Sequence, residues 1–77
     1  MNRLGNILEK IFEIPADTIT DDLSPETTEA WDSFNGLLLV SELEREFGVT
    51  FTMQEVVSVK NVGDIRKALR KHGVEDV

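Results

Sequence analysis

The chain has 77 residues, 40% of them apolar and 30% charged, enough for one hydrophobic core and too apolar for a wholly disordered polypeptide. Residues 1–77 therefore read as a single small domain with no room for a large catalytic cleft. Fifteen acidic residues against eight basic ones leave a net charge of −7, which repels nucleic-acid phosphates and anionic membrane surfaces and favours partners with basic patches.

From the N-terminus, Leu4, Ile7, Leu8, Ile11 and Phe12 recur at i, i+3, i+4, i+7 and i+8, the buried stripe of an amphipathic helix. Pro15 biases Ile14 away from helical geometry, so helix one is expected to stop near Glu13. Residues 15–32 have neither the helical nor the strand period and contain Pro15, Pro25 and several Thr, Ser and Asp, the composition of an irregular connection. So long a loop inside a small domain is usually functional, and Ile19 and Leu23 are expected to fasten it to the core.

Helix two is predicted from Asp32-Ser33, with Asp32 as N-cap, to Phe47, with Gly48 as the C-terminal glycine. The helical period places Leu37, Val40, Leu43 and Phe47 on its buried stripe, flanked by Leu39 and Phe34. Leu38 then points outward with Asn35, Glu42 and Arg45. The run Leu37-Leu38-Leu39-Val40 is the longest apolar stretch and is far too short to span a bilayer, and Met1-Asn2-Arg3-Leu4-Gly5 leads into no signal-type segment. A cytoplasmic monomer that binds neither membrane nor nucleic acid is expected. Thr52 to Ser58 suits one or two helical turns, with Thr52 and Glu55 as a capping box. A last helix follows Asn61, its cap, with Asp64 near the positive dipole end, Val62, Ile65 and Leu69 facing inward, and Arg70, Lys71 and His72 before Gly73. The predicted core comprises Ile7, Ile11, Leu37, Val40, Phe47, Val62, Ile65 and Leu69. The fold class is all-α, a small four-helix bundle of three main helices and one short one, with a long loop between helices one and two.

Charge is divided unevenly. Residues 1–59 hold three basic and twelve acidic groups, whereas residues 60–77 hold five basic and three acidic, so the acidic surface belongs to the loop and helix two on either side of Ser33.

The residue inventory excludes most catalytic chemistry. Without cysteine there is no disulfide scaffold, thiolate zinc site or thiol nucleophile borne by the chain. A hydrolase triad needs a base beside its nucleophile, and the one histidine, His72, reads as an ordinary residue of the last helical turn. Asp17, Asp21 and Asp22 lack the spacing and closing glutamate of a calcium loop and read as a solvated acidic segment, and no glycine-rich phosphate loop occurs. Ser33 remains, at the start of a helix between Asp32 and Phe34. On position alone it reads as a capping serine.

Taken together, Asp32-Ser33-Phe34, the apolar series through Leu37, Val40 and Leu43, Glu42-Leu43-Glu44-Arg45-Glu46-Phe47-Gly48-Val49 and Asn61-Val62-Gly63-Asp64-Ile65 resemble the acyl carrier protein family. The resemblance spans essentially the whole chain, and its specificity lies in the spacing of these motifs. It implies a carrier and not an enzyme, in which Ser33 receives 4′-phosphopantetheine from coenzyme A and Asp32 is the motif neighbour. The reactive sulfur then comes with the cofactor, in keeping with a chain that has none of its own. A phosphopantetheinyl transferase and acyl-loading and acyl-processing enzymes are the implied partners, docking on the outer face of helix two, where Glu42 and Glu46 match the family's acidic recognition residues.

The sequence departs from the family pattern at Phe34, where leucine is usual, at Asn35, where an acid is common, and at Leu38 and Arg45, where acids are frequent. These departures imply a specialised carrier serving a dedicated pathway. Leu38 is expected to touch a partner enzyme, with Arg45 on the same face. Trp31 either packs the loop against helix two or, near Ser33, meets the cofactor arm or a partner. The cargo is left open among fatty acyl, polyketide, aminoacyl and other acyl groups. The competing reading is an unmodified helical adaptor that binds a basic partner through helix two.

Overall fold

A computed structural model describes residues 3–75 and 77. Among these residues there are four α-helices, α1 (Arg3–Phe12), α2 (Ser33–Phe47), α3 (Met53–Ser58) and α4 (Val62–Lys71), one 3₁₀ turn at Ala16–Thr18, and no strand. The expected all-α bundle of three main helices and one short one is therefore the observed architecture. No helix among the described residues is long and apolar enough to cross a membrane.

The sequence signals end the helices where expected. Past α1, Glu13 adopts a positive φ of 55° while its N–H still donates to the Glu9 carbonyl at 2.9 Å, and Pro15 prevents continuation. At the start of α2 the Asp32 carboxylate accepts from the Asn35 N–H at 2.9 Å. At its end Gly48, with φ 67°, donates to the Glu44 carbonyl at 2.9 Å, a left-handed cap that glycine adopts without a Cβ penalty. The Thr52–Glu55 capping box opens α3 in full.

Leu4, Leu8 and Phe12 of α1, Leu39 and Leu43 of α2, and Val62, Ile65 and Leu69 of α4 fill the core together with Trp31. This corrects the predicted inward face of α2. Leu37 and Phe34, assigned to or beside the buried stripe, are 69% and 74% exposed, whereas Leu39 is at the centre with 3% exposure. Val40 and Phe47 are half-buried, as are Ile7 and Ile11 of α1. The cause is Trp31, whose ring stacks on Phe12 with centroids 5.1 Å apart and lies so close to α2 that a Cβ on Gly36 would sit 3.7 Å from its Nε1. With the indole seated there, α2 turns the line Gly36, Leu39, Leu43 inward. Four consecutive apolar residues fit more than one helical phase, and this packing selects one. Of the two roles open to Trp31, the structure gives it the packing role, at 8% exposure.

The long loop is held by more than the half-buried side chains of Ile19 and Leu23. Its carbonyls at Leu23 and Asp21 accept the Val62 and Gly63 amides at 3.0 and 2.9 Å, and the Asn61 side chain accepts the Asp64 amide at 2.9 Å. Three amides that a helix start leaves without intrahelical partners are thereby satisfied. Asp21 also pairs with Arg66 at 3.2 Å, and Asp22 accepts a hydrogen bond from Thr20. Replacing Asn61 by Ala is expected to cost about 1 kcal/mol, read as a lower urea midpoint of Trp31 fluorescence.

Candidate functional site

Ser33 is the first residue of α2 and is exposed to solvent. Asp32 satisfies the Asn35 amide through its carboxylate and the Gly36 amide, at 2.8 Å, through its carbonyl. The amides of Ser33 and Phe34 are the other two of the first turn, directed outward at the positive end of the helix dipole. A hydroxyl in this position accepts a phosphate ester with two N–H donors and a favourable dipole alongside.

Ser33 also stands at the edge of an apolar cavity of about 200 Å³ between α2, α3 and α4, whose wall includes Leu37, Val40, Val56, Ile65 and Ala68. Leu37, whose exposure overturned its assignment to the core, stands at the open side of this wall. An apolar cavity of roughly 150 Å³ takes a benzene-sized guest, so this one suits a short to medium hydrocarbon chain. The residues present thus fit 4′-phosphopantetheine, with a solvent-facing hydroxyl for its phosphate and an apolar recess beside it for an acyl group.

Glu55 is the ionisable group in the cavity wall. Its carboxylate accepts the Thr52 N–H at 2.8 Å and lies 2.9 Å from His72 Nε2, while the His72 ring meets Phe51 edge-on at 5.3 Å. His72, expected to be an ordinary residue of the last turn, thus clasps the end of α4 to α3. The hydrogen bond from the Thr52 amide holds the Glu55 carboxyl below the usual carboxylate range, against the opposing effect of desolvation and with a further contribution from His72. A depressed carboxylate stabilises the folded state fully above its unfolded pKa, and that contribution is lost as pH falls through the folded value. Glu55→Gln keeps the capping-box geometry but cannot ionise. Its melting temperature is expected to lie below that of the parent at neutral pH, the gap closing as acidification carries Glu55 from above its unfolded pKa down through its lower folded value.

The residues expected to meet partners do not form one acidic strip. Arg45 Nη2 forms a two-pronged contact with Glu42 at 2.7 and 2.9 Å. Arg3 Nη1 reaches Glu46 at 3.5 Å and its guanidinium covers the Phe47 ring at 4.5 Å. Glu44 turns the other way and accepts the Phe51 amide at 2.8 Å, tying α2 to the connection before α3. Asn35, expected outward, is half-buried and donates to the Ala30 carbonyl at 2.7 Å. Leu38 is exposed at 40%, as expected, and shares a groove with Ile7, Ile11, Glu42 and Arg45. Sequence reasoning missed the exposure of Phe34 and Leu37. The signal for it was Gly36, the one α2 position where an indole can lie against the backbone.

Comparison with known proteins gives two findings. The family model described as "Phosphopantetheine attachment site" matches residues 2–69. The chain is also 29% identical to an acyl carrier protein of Rickettsia bellii (strain OSU 85-389), over 94% of this chain and 98% of that protein.

Proposed function

The chain belongs to the phosphopantetheine-bearing acyl carrier protein family, and from that premise we propose that Ser33 is the attachment residue of a carrier for short to medium acyl groups in a dedicated biosynthetic pathway. The family's members are carriers and not enzymes, and their cofactor is covalently attached 4′-phosphopantetheine, which supplies a terminal thiol that holds acyl groups as thioesters. The observation that carries the assignment is the position of Ser33, exposed at the first turn of α2 and at the edge of the apolar cavity.

In the proposed modification the Ser33 Oγ bonds to the phosphorus that bears the pantetheine arm in coenzyme A. The pyrophosphate bond breaks, adenosine 3′,5′-bisphosphate leaves, and the hydroxyl proton passes to a base of the transferase. The free amides of Ser33 and Phe34 and the dipole of α2 offset the charge of the resulting phosphodiester. Leu37, Val40 and Val56 line the recess in which an acyl chain is shielded from water. A phosphopantetheinyl transferase and acyl-processing enzymes are the partners of the family, and the cytoplasm is the proposed setting.

The test is incubation with coenzyme A and a broad-specificity phosphopantetheinyl transferase, followed by intact-protein mass spectrometry. One added phosphopantetheine per chain is expected. No addition, with a known carrier modified in parallel, would overturn the proposal.

A further inference from the structure

The packing of Trp31 accounts for its ring and leaves its N–H unused. The residue is 8% exposed, its backbone amide donates to the Thr28 carbonyl at 2.9 Å and its ring stacks on Phe12, but the indole Nε1–H donates to no group among the described residues. A buried indole N–H usually has a partner. The atoms nearest the point that a Cβ on Gly36 would occupy are Trp31 Nε1 at 3.7 Å and Cδ1 at 3.9 Å, and beyond α2 itself nothing else comes within 4 Å of it. Gly36 and Trp31 both belong to the wall of the cavity beside Ser33, so the N–H edge of the indole faces the recess across the gap where Gly36 has no side chain. The other polar side chains of the wall are those of Ser33 and Glu55, and the Glu55 carboxylate already accepts the Thr52 amide and lies 2.9 Å from His72 Nε2. Once Ser33 is esterified, the described side chains of the wall offer one unsatisfied donor and one acceptor that is already engaged.

We propose that the Trp31 indole N–H donates a hydrogen bond to the cargo, and that the acyl group this carrier shelters bears a keto oxygen along its chain. The inference rests on the assignment of Ser33 and names the class of acyl group that the attached arm brings to the cavity. A plain hydrocarbon chain in the recess covers the N–H, removes it from water and gives it no acceptor, which is the costly way to bury a donor. A keto oxygen accepts the hydrogen bond and carries no proton of its own, so it matches the indole without calling on Glu55. A hydroxyl on the chain, or the amides of the arm, would bring an O–H or N–H as well, for which the wall has no unengaged side-chain acceptor. A site built around such a polar contact discriminates against the analogue that lacks it more strongly than an apolar pocket discriminates by chain length.

The chain has a single tryptophan, so a nitrogen-15 correlation spectrum holds one indole N–H resonance. Unmodified protein is loaded by a broad-specificity phosphopantetheinyl transferase from coenzyme A and from its hexanoyl, β-ketohexanoyl and δ-ketohexanoyl thioesters, with intact mass confirming each form. The two keto isomers place the oxygen at two depths in the recess. The expected result is a downfield shift of the indole proton in at least one keto form, with exchange against solvent slower than in the hexanoyl form by about fivefold or more, the factor of one neutral hydrogen bond, and neither change in the form that carries the arm alone. Gly36→Ala fills the gap with a methyl at ordinary contact distance from the indole and favours the helix, so its keto forms are expected to lack the shift. Keto and hexanoyl forms that agree, a shift already present with the bare arm, or a shift that survives Gly36→Ala would overturn the inference while leaving the carrier assignment standing. Absence of any loading, with a known carrier modified in parallel, would instead overturn the assignment, and the inference with it.

Discussion

Ser33→Ala is expected to abolish phosphopantetheine attachment completely while leaving the fold unchanged. The Ser33 side chain is exposed, and the cap of α2 is supplied by Asp32 and not by Ser33. Alanine is the best helix former, so the substitution takes nothing from the helix that holds it. The nucleophilic oxygen is removed, and Ser41 on the next turns of the same helix does not share the first-turn amides or the cavity edge. Intact-protein mass spectrometry should show no added group on Ser33→Ala under conditions that convert the parent fully, and Ser41→Ala should be modified like the parent. Urea midpoints of all three proteins should agree. An unmodified adaptor would retain its cellular role in Ser33→Ala, whereas a carrier loses it, so complementation by this variant separates the two classes.

The largest stability effect is expected at Phe12. Its side chain is 2% exposed and stacks on Trp31, and that stack seats the indole against Gly36 and fixes which face of α2 turns inward. Phe12→Ala removes the buried ring and the surface on which Trp31 rests. Such a truncation costs about 3–5 kcal/mol, as much as the roughly 3–5 kcal/mol that the single core of a domain this small supplies. The variant is expected to be substantially unfolded at 25 °C, with the emission of the single tryptophan shifted toward that of exposed indole. Ile11→Ala, at a half-buried neighbouring position, should remain folded and serves as the control. A Phe12→Ala protein with parental emission and urea midpoint would contradict this account of the core.

Much of the architecture was legible because its signals are local. The helix starts at Ser33, Met53 and Val62 follow from Asp32, Thr52 and Asn61, whose side chains bond amides three residues on, and Gly48 and Pro15 mark stops through backbone geometry. The phase of α2 was not legible, because Leu37-Leu38-Leu39-Val40 satisfies the apolar period in more than one rotation and the decision belongs to Trp31 and Phe12, far apart in sequence. The capping of α4 by the Leu23 and Asp21 carbonyls was equally hidden, since backbone acceptors leave no mark in side-chain identity. The same is true of the Glu44–Phe51 and Glu55–His72 contacts, which join residues that the sequence presents as an exposed acid and a terminal histidine. At the candidate site the sequence singled out Ser33, Asp32 and Leu38. The cavity beside Ser33 became visible only once the rotation of α2 was known.

The central claim is that Ser33 bears the phosphopantetheine. It is tested most directly by cleaving the transferase-treated protein after glutamate and fragmenting the peptide 30–42, in which Ser33 and Ser41 are the hydroxyl-bearing side chains. The account predicts that the added mass resides on Ser33 and that Ser41 is unmodified. An added group on Ser41 or on another peptide, or none on any peptide while a known carrier is converted in parallel, would contradict it.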